Sequence, residues 1–147
     1  MRIALAGLVA AATFAIACGG QNSTTGPTPQ GLNGTWVATK AEYTSVATAS
    51  KKVDVVAQGT TVTLVLAGSS FTLTIKDPGL AGNVTTGTWS SSTDTLTMKP
   101  TTISGQWQFD MALSGSTLTL TGGSVVFDFT DTGNPEEAKL NLTLTRQ

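Results

Sequence analysis

The sequence predicts an all-β fold: an antiparallel up-and-down β-barrel of about 8–10 strands, built from residues 33–147. Three observations carry this reading. Apolar residues recur at every second position along most of that stretch. Threonine fills much of the intervening polar row, a residue that suits a pleated surface. Short Gly-, Ser-, Asn- and Pro-bearing segments separate the runs, with no long crossover between them.

The runs follow one another closely. The first opens near 34–40. Val62, Leu64 and Leu66 then alternate with Thr61, Thr63 and Val65, and Phe71, Leu73 and Ile75 with Thr72, Thr74 and Lys76. A further strand is expected near 83–90. Leu96 and Met98 are followed by Trp107, Phe109 and Met111, then by Leu118 and Leu120. Val125, Phe127 and Phe129 come next, and Leu140, Leu142 and Leu144 close the series. Successive strand side chains point to opposite faces, so each run buries one row and solvates the other. The turn segments Gly68-Ser69-Ser70, Asp77-Pro78-Gly79, Ser114-Gly115-Ser116, Gly122-Gly123 and Gly133-Asn134-Pro135 join antiparallel neighbours. Ala41 to Gly59 is the least strand-like stretch. It reads as a loop or short helix over one barrel end, with 53–57 as an additional strand or that helix. A flat sheet of this length would leave two edges and a bare apolar face, which closure removes. A two-sheet sandwich is the rival, and the meander-like spacing favours the barrel.

Composition narrows the chemistry. The 147 residues fit one domain. Charged residues are only 12% of the chain, and the net charge is −1. No basic run exists beyond Lys51-Lys52, so there is no electrostatic footprint for nucleic acid. Histidine is absent, which removes Ser-His-Asp and Cys-His nucleophilic machinery and the commonest zinc ligand. With Cys18 as the sole cysteine, no intrachain disulfide can form. No catalytic residue, metal site or cofactor is assigned, and the chain is not expected to be an enzyme.

Residues 1–17 have the anatomy of a signal peptide. Met1-Arg2 is a short cationic start. The apolar run from Ile3 to Ala17 is shorter than the roughly 20 residues that span a bilayer, and small residues close it. Its end, Ala15-Ile16-Ala17-Cys18, resembles the lipobox of bacterial lipoproteins, with Ala15 in place of the usual leucine. That resemblance implies cleavage before Cys18 and a diacylglyceryl group on its sulfur, with acyl chains such as palmitate. Each buried methylene contributes about 0.8 kcal/mol, so two chains hold where one is marginal. The resemblance therefore implies an extracytoplasmic protein anchored to the bacterial membrane through Cys18. Gly19 favours the outer membrane if the cell has one. The alternative is a standard signal peptide cut at an Ala-x-Ala site, releasing a soluble protein. Residues 18–32 are rich in Gly, Ser, Thr, Pro and Gln and read as the lipidated cysteine and a flexible tether.

Gly34-Thr35-Trp36 opens the first strand and resembles the Gly-x-Trp signature of lipocalins. In that family the tryptophan plugs the closed end of the barrel and an arginine of the last strand packs over it. Arg146 continues the inward row of Leu140, Leu142 and Leu144, so Gly34, Trp36 and Arg146 are expected to form a structural barrel end. The stretch Gly87-Thr88-Trp89 followed by Asp94-Thr95-Leu96-Thr97 also resembles the middle of bacterial lipocalin-like domains. The chain departs from the family in having no disulfide cysteines and no other recognisable lipocalin motif.

Phe71, Leu73, Trp107, Phe109, Met111, Phe127 and Phe129 fall on inward rows. They form either a filled core or the wall of a cavity, since barrels of about eight strands do both. Tyr43 and Trp89 are candidates for the mouth or for packing. Asp128, Asp131, Asn134, Glu136 and Glu137 offer oxygen donors of the kind calcium takes. Their spacing matches no EF-hand loop, and a charged hairpin turn explains them equally. Asp110 and Asp128 alternate with apolar residues and should face solvent rather than share a cleft, which argues against glycoside hydrolysis. The functional expectation is a membrane-anchored protein binding a small hydrophobic ligand such as a lipid or fatty acid. The alternative is an envelope lipoprotein with a filled barrel and a protein partner.

Overall fold

The computed structural model describes residues 29–147; the leader, Cys18 and the tether as far as residue 28 lie outside the described residues. One helical turn, α1 (Pro29–Leu32), precedes nine strands: β1 (Gly34–Ser45), β2 (Lys52–Asp54), β3 (Thr61–Ala67), β4 (Ser70–Lys76), β5 (Asn83–Ser91), β6 (Thr95–Pro100), β7 (Trp107–Ser114), β8 (Thr117–Phe127) and β9 (Glu136–Arg146). Every pairing is antiparallel between neighbours. The order runs β1-β3-β4-β5-β6-β7-β8-β9, and β9 returns to β1 to close an eight-stranded barrel. Closure leaves no free sheet edge along β1 and β9, whose ladder runs from Trp36↔Arg146 to Ser45↔Ala138.

The segment 41–59 departs from the expectation of loop or helix. Ala41–Ser45 continues β1, and β2 pairs with it from Glu42↔Asp54 to Thr44↔Lys52. The continuation was hidden by a register shift between Ala38 and Lys40. One extra residue at Thr39 changes the parity of the buried row from Trp36 and Ala38 to Ala41, Tyr43 and Ser45. After β2 the chain turns. The Asp54 carboxylate accepts from the Ala41 and Val56 amides at 3.1 Å each, and Val55 is buried beneath the turn.

A second bulge lies in β8, between Leu120 and Gly123. Gly122 takes φ +81°, a conformation that favours glycine, and its amide donates to the Asn141 side chain at 2.9 Å. The bulge shifts the inward row from Leu118 and Leu120 to Gly123, Val125 and Phe127, and the β7–β8 ladder stops at Asp110↔Thr121. Beyond that point β8 follows β9 alone, as far as Phe127↔Glu136. Phe109 fills the seam so left, packed directly on Gly123.

The barrel interior is therefore uneven. Around the end where β1 begins, Trp36, Leu66, Phe71, Leu96, Leu118 and Leu144 are all fully or nearly fully buried and close the barrel. Leu32 is buried there too, with no exposed surface. That corrects its placement in the tether: a single leucine, seated under the barrel by one helical turn, belongs to the core although its sequence neighbours read as linker.

Candidate functional site

The closed end is held by the residues that the Gly-x-Trp resemblance singled out. Gly34 takes φ +143°, and an added Cβ would lie 3.9 Å from the Arg146 guanidinium. Trp36 is wholly buried and donates its indole N–H to the Leu32 carbonyl at 2.8 Å. Arg146 lies over the indole with its Cζ 4.6 Å from the ring centroid, and donates to the Gly31 carbonyl. Both α1 carbonyl contacts use side chains from the barrel floor, so the turn is stapled onto the closed end. Trp89 also belongs here. It is buried, and its amide donates to Ser69 in the β3–β4 turn at 2.8 Å.

The other half of the barrel is hollow. A cavity of about 650 Å³ lies between the strands, lined by Tyr43 of β1, Leu64 of β3, Leu73 and Ile75 of β4, Thr85 of β5, Met98 of β6, Trp107 and Phe109 of β7, Val125 of β8, and Ala138, Leu140 and Leu142 of β9. All eight barrel strands contribute. Its rim is formed by Val46 and by Ile103 to Gln106 of the β6–β7 connection. Val46 and Ile103 are about half exposed. The chain joins the barrel at the opposite, closed end.

Leu73, Trp107 and Phe109, expected on the wall of a cavity, are there. The other four inward aromatic and sulfur residues lie elsewhere, as packing rather than wall. Phe71 and Met111 lie nearer the closed end and are packed into the core, because they occupy the start of β4 and the far half of β7. Phe127 and Phe129 belong to a stack beside the cavity. Phe127 lies 4.0 Å from the Tyr43 ring at 19°, and Phe129 meets Phe127 edge-on at 4.9 Å. The bulge in β8 decides this, since it carries Phe127 away from β7 and toward β1.

That stack is continued by polar contacts. The Lys51 ammonium lies 4.9 Å from the Phe129 ring centroid and is paired with Glu136, which also accepts from the Ser45 hydroxyl at 3.1 Å. The bond from Lys51 holds the Glu136 carboxyl below its usual range. Burial pushes the Tyr43 phenol above its usual value, and the negative charge of Asp77 adds to the shift. Tyr43 therefore stays protonated and a donor at neutral pH.

The acidic turn residues are arranged as a turn. The Asp128 carboxylate accepts from the Thr130, Gly133 and Asn134 amides, and Asp131 takes φ +54°. The Thr130 amide leads in holding the Asp128 carboxyl low. Among the described residues no group of three or more His, Cys, Asp or Glu side chains is placed to hold a metal. Asp110 is exposed on the outer row of β7.

Nothing in the residue pattern marks Ile75, Thr85, Met98, Val125 or Ala138 as wall residues in preference to packing residues. The pattern also did not place Tyr43 on the wall, because the Thr39 bulge hides its parity. A closed antiparallel barrel of eight strands, plugged by tryptophan at one end and hollow at the other, is a shape with room for one small ligand. Residues 32–120, more than half the chain, match the family model described as a lipocalin-like domain, and the chain belongs to that family. Neither the curated proteins nor the solved structures compared with it contain a match.

Proposed function

We propose that this lipocalin-like protein carries a small hydrophobic ligand, such as a lipid or fatty acid, in the open half of its barrel, and does no covalent chemistry on it. The observation that carries the reading is the cavity. Its volume of about 650 Å³ falls within the range of small-molecule sites. Its walls are mostly Leu, Ile, Val, Met and aromatic side chains, so a hydrocarbon guest would gain the burial of apolar surface. The alternative of a filled barrel that meets an envelope partner through its outer surface finds less support, because side chains leave a cavity of about 650 Å³ between the strands.

The same proposal places the protein outside the cytoplasm, held to the membrane by acyl chains on Cys18. Support comes from the lipobox-like end of the leader. The chain enters the barrel at its closed end with Gly34, and the cavity mouth lies at the opposite end.

The test is native mass spectrometry of the protein purified from its own host, with membrane fractionation of the wild type and Cys18→Ser alongside. A co-purifying lipid mass is expected, and loss of the variant from the membrane pellet. A clean apo mass with no change in tryptophan emission across a lipid panel refutes carriage. Equal membrane retention of the variant refutes the anchor.

A further inference from the structure

Most polar residues of the lining belong to the rim or to outward-facing rows, and one on the inner wall is placed to be read by a ligand. Tyr43 is 8% exposed and lines the cavity. Its ring is fixed by the stack on Phe127, so the hydroxyl has a defined position rather than a swept arc. No hydrogen bond joins that hydroxyl to another described residue, and its oxygen keeps accessible surface rather than being sealed among packed atoms. With no protein acceptor in place, the hydroxyl is available to donate to a ligand oxygen, a bond of the kind that contributes about 0.5–1.5 kcal/mol. Thr85 is the other hydroxyl-bearing residue on the inner wall, on a short side chain with no comparable aromatic support.

Charge decides what kind of acceptor fits. Lys139 contributes to the lining, but its ammonium is on the outer face of β9, donating to Ser124 at 2.7 Å. Lys51 is engaged with Glu136 and Phe129. No cation of the lining therefore faces the interior. The charge that acts on the Tyr43 phenol is negative, that of Asp77, whose carboxylate accepts from the Thr60 hydroxyl at 2.6 Å, and the charged lining residue besides Lys139 is the acidic Glu137. A carboxylate or phosphate in this cavity would be desolvated without compensation and repelled, whereas a neutral carbonyl would not.

Resting on the carrier function proposed above, we propose that the Tyr43 hydroxyl positions the ligand by donating to it, and that the ligand is a neutral lipid bearing one uncharged acceptor, an ester, ketone or alcohol oxygen, rather than a fatty-acid anion. Tyr43 is thus the residue that sets specificity within the apolar cavity.

The experiment titrates the full-length protein with methyl decanoate, decanoate and decane, following emission from Trp107 and its neighbours. Wild type is expected to bind methyl decanoate more tightly than decanoate. Tyr43→Phe keeps the stack and the shape. It should weaken methyl decanoate about three- to tenfold, the worth of one neutral hydrogen bond, and leave decane unchanged. Asp77→Asn should improve decanoate relative to methyl decanoate and gives a second readout independent of Tyr43. Equal affinity of wild type and Tyr43→Phe for methyl decanoate, or a wild-type preference for decanoate, overturns the inference and leaves the carrier function standing. Failure of wild type to bind any of the three overturns both.

Discussion

Replacing Arg146 by alanine tests how the barrel is closed. Two interactions are lost together. The guanidinium over Trp36, at 4.6 Å, is a cation–π contact worth about 0.5–2 kcal/mol. The hydrogen bond to the Gly31 carbonyl has a charged donor, a type that contributes about 1.5–3 kcal/mol. Arg146 is only partly buried, so solvent screens both, and a combined loss of about 2–3 kcal/mol is expected. The ladder itself is spared, because the Arg146 amide still donates to Ser116 at 2.8 Å. For a domain of this size the loss corresponds to a fall in Tm of about 6–15 °C, read by thermal unfolding at neutral pH. Arg146→Lys should fall between the two, since an ammonium keeps the charge but not the flat, forked group that covers an indole. Tryptophan emission of Arg146→Ala should shift to the red as water reaches the Trp36 indole. An Arg146→Ala protein that melts within about 1 °C of wild type, with unchanged emission, refutes the reasoning.

Two further outcomes follow from the same geometry. Leu32→Ala removes a fully buried side chain outside the strands and should cost about 2–5 kcal/mol in denaturant unfolding; a surface-like cost of a few tenths would return Leu32 to the tether. Gly123→Ala would place a Cβ 2.0 Å from Phe109, so the ring must move out of the β7–β8 seam. A cost of about 1–3 kcal/mol is expected, with ligand affinity altered at the same time and Phe109→Leu restoring part of the stability in the double variant.

Much of the fold was legible because its signal is local. Period-two alternation is a property of a single strand, and each run from Val62 to Leu144 carries its own. The turns are likewise local, since glycine and proline set backbone angles without help from distant residues. Even the closed end could be read: Gly34, Trp36 and Arg146 lie on the first and last strands, which closure must bring together. What escaped were the places where a strand changes phase. At Thr39 and at Gly122 one extra residue inverts which row is buried; nothing in composition marks the first, and Gly122-Gly123, expected as a turn between two strands, is instead a bulge within the single strand β8. The bulge at Thr39 concealed the second half of β1 and the inward position of Tyr43. The bulge at Gly122 moved Phe127 and Phe129 off the wall and into a stack with Tyr43. Leu32 escaped for a different reason, because one apolar residue in a polar stretch has no periodicity to betray it.

By itself the sequence determined that residues 33–147 form consecutive antiparallel strands and that no histidine-dependent catalysis is available. Each of these depends on residue type and spacing along the chain. Only the tertiary structure decided that the barrel is filled at one end and empty at the other. The same leucines, methionines and phenylalanines serve as packing or as cavity wall. Which they become depends on how far the opposite strands stand apart, and that distance is set by closure and by two bulges acting across the whole barrel.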